Sequence, residues 1–329
     1  MRQWLAAVGL AGGLLAAGSA VHGQRADLAT FDYRLAARAL APNVYVVEGD
    51  NDDFTLANGC NIINTGFIVT SAGVLVINTG PSKRYGDQLR ALIRRTTPQP
   101  VAKVLHLNLH PDYFLGNQAF ADVPRAATPA TRAGMAREAS SYVDNLYRVC
   151  GEWEKGTEAL LPDRDVDPVA NGGRWTLGER EFEWREFNGH TASDLVLIDR
   201  TSGVAFVGGL VFKERIPTTP HATVGPWLDS LDRLAALKPR TVVPSHGPVH
   251  ADASGIDQTR RYMMWLDRSF STWAGQGWDM NEVLRGPVPA EFRGWAAFNT
   301  EYVRNVAHLY PVYERAAMPA AQPIPGVRR

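Results

Sequence analysis

The sequence is short of cysteine and of net charge, and each shortage excludes a class of function. It has two cysteines, Cys60 and Cys150, among 329 residues, so it has no CxxC pair that could form a redox motif or a zinc site. Its 34 basic residues balance 34 acidic residues, which argues against nonspecific electrostatic binding to nucleic acid or to an anionic membrane. The charge balance therefore points to no particular partner.

The chain start also lacks a strongly apolar run. Arg2 is followed by residues 5–20, which are rich in Ala and Gly, and small residues near Ala20 offer a cleavage site. This pattern is typical of a secretory signal, here residues 1–23, whereas a membrane anchor needs about 20 strongly apolar residues. We expect a periplasmic or secreted protein with no stable membrane insertion after signal cleavage.

Export would place the two cysteines in an oxidising compartment. There, one structural disulfide between Cys60 and Cys150 is the simplest interpretation. Two buried thiols are the alternative.

The most informative stretch is residues 104–117. Its alternation predicts a strand with three leucines on one face and His106, Asn108 and His110 on the other. A proline then ends the strand, so the acidic and aromatic residues that follow it lie on the loop at its carboxyl end. α/β proteins place their sites on such loops.

This stretch resembles the metal-binding turn of the metallo-beta-lactamase superfamily, which reads HxHxDH followed by a glycine. Asn and Tyr stand here where the family has histidines. Three later segments resemble the rest of the family site, in the expected order. The matching positions are Asn108, His110, Asp112, Tyr113 and Gly116 in the turn, His190 in GHTASD, Gly209 in place of a bridging aspartate, and His246 in SHG.

The resemblance runs from about residue 45 to about residue 250 and implies an α/β fold. We expect a four-layer αββα sandwich over residues 24–250, a C-terminal helical extension over residues 251–316 and a disordered tail over residues 317–329. Within the sandwich, the residue patterns predict two strands joined near Gly73, helices over 84–95 and 131–149, and strands over 101–109 and 175–187.

Four of the seven ligand positions of the family are retained: His110, Asp112, His190 and His246. The resemblance therefore implies one zinc ion held by these residues, with iron as the alternative metal and no metal at all as the third reading. Asp112 would orient or deprotonate a metal-bound water. Tyr113 would stabilise an oxyanion, unless it only packs at a helix start.

Three further residues are expected beside these ligands. Asn108 and Asp194 would hydrogen-bond to a ligand, a bound water or the substrate. His221, on a Pro-rich loop, would contact substrate or stand in as a ligand, and a plain surface histidine is the alternative. His106 is too far along the strand to share an ion with His110 and is predicted to be partly buried and hydrogen-bonded.

We therefore predict an exported metal-dependent hydrolase that acts on an ester, amide, lactone or thioester. A protein that binds a small molecule or a partner without turnover is the main alternative, and beta-lactamase activity is a third. The run NLHPDYFLGNQAF is most similar to the quinoprotein relay system zinc metallohydrolases. That similarity implies a periplasmic quinoprotein partner or a quinone-linked substrate.

Overall fold

The structure is a computed structural model that describes residues 26–166 and 172–318. The predicted signal segment lies outside these ranges, and so do residues 319–329 of the predicted tail. Within these ranges, no helix is long and apolar enough to cross a bilayer.

The strands form two sheets. The first sheet is antiparallel from β1 to β4 and parallel from β4 to β7, and its strands follow chain order: β1 Arg38–Ala41, β2 Val44–Val47, β3 Thr65–Thr70, β4 Gly73–Ile77, β5 Val101–Leu105, β6 Arg125–Ala127 and β7 Arg164–Asp165. The second sheet runs in the order β12-β11-β10-β9-β8 and is antiparallel except between β11 and β12: β8 Gly172–Leu177, β9 Arg180–Phe187, β10 Asp194–Asp199, β11 Val204–Phe212 and β12 Thr241–His246.

Helices cover the outer face of each sheet. They are α1 Lys83–Thr96, α2 Pro111–Phe114, α3 Pro129–Cys150, α4 Val224–Ala236, α5 Ser254–Gly275, α6 Met280–Arg285, α7 Ala290–Arg293 and α8 Phe298–Ala317. Ser82 caps α1 through its side chain, which accepts from the Tyr85 N–H, and Thr128 caps α3 in the same way through Thr131.

Alternation along the strands builds the cores. In β4, Val74 and Val76 pack under α1 and α3, whereas Leu75 and Ile77 pack between the sheets. In β10, alternate side chains likewise face the gap between the sheets or the helices α4, α5 and α8. Both faces of each sheet are therefore buried, and the predicted four-layer αββα sandwich is confirmed.

The C-terminal helices share a core with the second sheet. Tyr262 and Leu266 of α5 and Val306 and Leu309 of α8 belong to the same buried cluster as Val207 of β11. The predicted helical extension is thus present, and its helices form part of the outer layer of the sandwich.

Two predicted strands end differently in the structure. The strand predicted over 101–109 stops at Leu105, because the N–H of Leu107 leaves the sheet and donates to Oδ1 of Asn78 at 3.1 Å. The strand predicted over 175–187 is a hairpin of β8 and β9, because Gly178 takes the left-handed conformation with φ +57° and turns the chain.

The predicted disulfide between Cys60 and Cys150 is confirmed, with 5.9 Å between the two Cα atoms. It joins the segment before β3 to the end of α3. Beside it, Trp153 is fully buried and its ring lies 4.4 Å from that of Tyr33. The bond closes a loop of 90 residues in sequence separation.

Replacing both Cys60 and Cys150 by Ala should lower the free energy of unfolding by about 3–4 kcal/mol, because the unfolded chain regains the entropy of a long open loop. Urea unfolding checks this value. A reducing agent should lower the free energy of unfolding of the wild type by a similar amount and leave that of the double variant unchanged. Equal stability of the oxidised wild type and the double variant would contradict the prediction.

Candidate functional site

The predicted site residues meet at one end of the sandwich. His110 and Asp112 follow β5, His190 precedes β10, Gly209 lies in β11 and His246 ends β12. His110 and Asp112 lie on the segment after a strand, His190 lies on the turn before a strand, His246 ends a strand, and Gly209 lies within a strand. The sheet packing therefore brings residues distant in sequence together.

His190 lies in a closed group with Asn108 and Asp194. Its Nδ1 is 2.9 Å from Oδ1 of Asp194 and 2.9 Å from Nδ2 of Asn108, and that Nδ2 donates to the same carboxylate oxygen at 3.2 Å. The Asn108 amide is oriented by its own Oδ1, which accepts from the N–H of His110 at 2.8 Å. Because the carboxylate can only accept, we assign the ring proton of His190 to Nδ1, and the approach of Nδ2 of Asn108 to this N–H is then a contact between two donors and not a hydrogen bond. Its Nε2 is buried and has no hydrogen-bond partner among the described residues.

The position of the missing bridging aspartate is filled by His190. A β-carbon on Gly209 would overlap Cε1 and Nδ1 of the His190 ring and would lie 2.8 Å from Nδ2 of Asn108. The rings of Phe212 and Trp227 pack on the same imidazole, at centroid distances of 5.6 and 5.1 Å. A side chain larger than that of glycine therefore has no room at position 209.

Asp112 and His246 form a second, separate pair. Oδ2 of Asp112 lies 3.7 Å from Nε2 of His246 and has no hydrogen-bond partner among the described residues. Nδ1 of His246 is 2.8 Å from the carbonyl oxygen of Ile62 and donates to it, which leaves the Nε2 lone pair facing Asp112. Burial raises the pKa of Asp112 to about 7, and burial with the nearby Arg215 lowers the pKa of His246 well below 6.5.

His110 and His221 make a third contact. Nε2 of His110 lies 3.1 Å from Nδ1 of His221, so one ring donates to the other. His221 is partly exposed, whereas His110 is buried, and burial lowers the pKa of both groups. His221 is therefore joined to the cluster and is more than an isolated surface histidine.

Tyr113 and His106 lie behind this group. Tyr113 is fully buried, its hydroxyl has no partner among the described residues, and burial raises its pKa well above 10. His106 is hydrogen-bonded as predicted, with Nδ1 3.0 Å from the carbonyl oxygen of Tyr113, and it is fully rather than partly buried. Donation by Tyr113 to an oxyanion stays a prediction.

The donors do not converge on one point as a family metal site requires. Over residues 26–166 and 172–318, no three His, Cys, Asp or Glu side chains are arranged so that they could hold a metal ion. Catalytic zinc normally has three protein ligands and a water. The donors approach one another in separate pairs, Asp112 with His246 at 3.7 Å and His110 with His221 at 3.1 Å, whereas the His190 ring is turned into the space over Gly209. The described donor set therefore does not fit zinc or iron, and the predicted four-ligand ion stays a prediction.

Sequence reasoning missed a buried ion pair beside the site. Arg215 lies 3.3 Å from Glu301 of α8, and both side chains are almost fully buried. The guanidinium also donates to Oγ1 of Thr218, which fixes the loop that leads to His221. Arg215 and Glu301 lie 86 positions apart in sequence, so no local motif marks the ion pair.

Comparisons with known proteins support the resemblance. The family model described as the metallo-beta-lactamase superfamily matches residues 58–246. The chain is 21% identical over 277 residues to a linear primary-alkylsulfatase from Pseudomonas sp., covering 72% of this chain and 52% of that one. It is 24% identical over 234 residues to an acyl-coenzyme A thioesterase from Gallus gallus, covering 67% of this chain and 76% of that one. The chain thus spans about half the length of the alkylsulfatase.

Solved structures show the same fold. A metallo-beta-lactamase from Pontibacter korlensis superposes with a TM-score of 0.56 at 24% identity, covering 70% of this chain and 99% of that one. A metallo-beta-lactamase from Hirschia baltica gives 0.55 at 15% identity, with 70% and 97% covered.

The substitution Gly209→Ala should destabilise the fold by about 1–3 kcal/mol, because the new methyl group would overlap the His190 ring in a filled core. Denaturant unfolding measures the loss. Gly225→Ala is the matched control, since nothing lies within 4 Å of a β-carbon there. Equal stability of the two variants would show that His190 does not occupy this space.

The raised pKa of Asp112 predicts a pH-dependent stability. The unfolded chain loses the Asp112 proton near pH 3.8, whereas the folded chain keeps it up to about pH 7. Between these two values the folded chain binds more protons, so the contribution of Asp112 to the free energy of unfolding falls as pH rises. Asp112→Asn removes the effect. The wild type should therefore be more stable relative to the variant near about pH 5 than near about pH 8. Unfolding by urea at both values measures the two differences, and an unchanged difference would contradict the assignment.

Proposed function

The chain belongs to the metallo-beta-lactamase superfamily, and on that basis we propose that it is a hydrolase that cleaves an ester or thioester of a small molecule. In this proposal Asp112 and His246 are the groups that move protons. The observation that carries it is the 3.7 Å separation between Oδ2 of Asp112 and Nε2 of His246, two buried side chains.

This separation suits a shared water. It is too long for a direct hydrogen bond, but one water oxygen at about 2.8 Å from each atom can contact both. The carbonyl of Ile62 holds the neutral His246 ring with its Nε2 lone pair available, so this atom serves as the base. Burial raises the pKa of Asp112 to about 7, so a substantial fraction of this carboxyl carries a proton at neutral pH and can serve as the acid. Two groups whose pKa values are shifted in opposite directions suit acid–base catalysis.

The reaction then balances without another reactant. His246 takes a proton from water as the water oxygen bonds to the acyl carbon, and the bond from that carbon to the alcohol oxygen or thiol sulfur breaks. Asp112 protonates the leaving group. The proton on His246 then returns to Asp112 and resets the pair. Tyr113, whose hydroxyl has no partner among the described residues, is proposed to donate to the oxyanion.

The substrate class draws on the relatives. Their names describe an alkylsulfatase, which acts on a sulfate ester, and an acyl-coenzyme A thioesterase, which acts on an acyl thioester. The thioesterase supports a reaction at an acyl carbon, whereas the alkylsulfatase does not. Amides and lactones, also predicted from the sequence, have no such support. Neither zinc nor iron takes part in the proposed reaction, because the described donors do not fit either ion.

Export and a quinoprotein link are further parts of the proposal. The disulfide between Cys60 and Cys150 supports a periplasmic or secreted location, since such bonds persist in oxidising compartments. A periplasmic quinoprotein partner rests on the similarity of the run NLHPDYFLGNQAF alone.

Hydrolysis of acyl-coenzyme A thioesters and p-nitrophenyl esters tests the function. Asp112→Asn and His246→Gln should each lower kcat by about 100-fold or more, as loss of a general acid or base does. His250→Gln is the control, because His250 bonds to Pro248 and not to the cluster. Full activity in either site variant would refute the assignment of the pair.

A binding protein without turnover is the second candidate. It is favoured by the replaced ligands, since Asn108, Tyr113 and Gly209 stand where the family has metal ligands and no three donors among the described residues are arranged to hold an ion. If the wild type hydrolyses no ester or thioester, but a small molecule raises its unfolding temperature and the His246→Gln variant loses that effect, the second candidate holds.

A further inference from the structure

We infer that Asn108, His190, Asp194 and Gly209 form a metal-independent junction between the two halves of the sandwich, at the place where the family holds metal. We call this group the amide–histidine junction. The inference concerns the structural role of His190 and does not depend on hydrolysis by Asp112 and His246.

His190 is packed as a core side chain. Its imidazole lies against the backbone of Gly209, the rings of Phe212 and Trp227, and the ring of His110 at 4.8 Å, and it is 0% exposed. A residue enclosed in this way acts as a core side chain. It cannot swing toward a shared ion without leaving a cavity over Gly209.

Hydrogen bonds to protein atoms hold the group together. The Asp194 carboxylate accepts from His190 Nδ1 through Oδ1 and from the N–H of Thr191 through Oδ2, at 2.9 and 2.8 Å. The Asn108 amide donates to the same carboxylate and accepts from the N–H of His110. Each polar atom on this side of the ring therefore has a protein partner, and only Nε2 of His190 has none among the described residues. Nε2 of His190 has no second ligand within its own group, and no three His, Cys, Asp or Glu side chains among the described residues are arranged to hold an ion.

The residues of the junction come from both sheets. Asn108 follows β5 of the first sheet, whereas His190 and Asp194 belong to the turn and start of β10 in the second sheet. Beside them, the N–H of Leu195 donates to the carbonyl of Leu107 at 2.8 Å. The side-chain bonds thus continue a backbone link across the two sheets.

Asn108 and Gly209, which replace two metal ligands of the family, are structurally linked through His190. An amide at position 108 offers an acceptor to His110 and a donor to Asp194 on one short side chain, which an imidazole cannot do with the same reach. Glycine at position 209 makes the space that the His190 ring occupies. The changes at 108 and 209 therefore support one another, since together they convert two ligand positions into one packed group.

Zinc titration of the full chain tests the inference. Protein stripped with chelator is incubated with excess zinc sulfate, desalted and analysed for zinc, and its thermal unfolding is measured with and without zinc. The expected result is well under one zinc per chain and the same unfolding temperature in both conditions, because a ligand stabilises only the state that binds it.

His190→Ala and Asp194→Asn should lower the unfolding temperature of the zinc-free protein, and the size of each loss should not change when zinc is added. His250→Ala is the histidine control and should alter neither quantity. If His190→Ala fails to fold, Asp194→Asn and the wild type still decide the matter. About one zinc retained per wild-type chain, with an unfolding temperature that rises on zinc addition, would overturn the inference. Zinc content and thermal unfolding are read without any substrate, so an absence of hydrolysis would count only against the proposed function.

Discussion

The face-to-face packing of the two sheets is the constraint on which the rest of the structure depends. Leu75 of β4 and Leu197 of β10 belong to one apolar layer between the sheets, and that layer sets the distance between the strand ends that carry the site. At the edge of the layer, backbone and amide bonds close the gap, as where the Asn64 amide donates to the carbonyls of Pro244 and Gly247. The polar cluster is a consequence of this packing.

Within that frame the cluster divides into groups with different chemistry. The amide–histidine junction is satisfied on the side that faces Asp194, whereas the Asp112 and His246 pair keeps reactive atoms without protein partners. Burial shifts the pKa values of these two side chains in opposite directions. It raises the pKa of Asp112, which favours the protonated carboxyl, and lowers the pKa of His246, which favours the neutral imidazole. The ion pair of Arg215 and Glu301 holds the neighbouring loop through α8.

The sequence predicts much of the fold because its patterns are local. The hairpin of β3 and β4, the helices α1 and α3 and the disulfide all follow from alternation, helical spacing or cysteine count. The retained residues could also be placed at one cleft from the order of their motifs. What could not be predicted depends on three-dimensional contact: the rotation of His190 into the space over Gly209, the contact of His221 with His110, and the end of β5 at Leu105.

The most direct test of this account is a crystal structure of the wild-type chain grown with zinc, with anomalous diffraction recorded at the zinc edge. The account predicts no anomalous peak beside His190, with its Nδ1 within hydrogen-bond distance of Asp194 and its ring over Gly209. A peak at about 2.0–2.1 Å from Nε2 of His190, shared with Asp112 or His246, would contradict it.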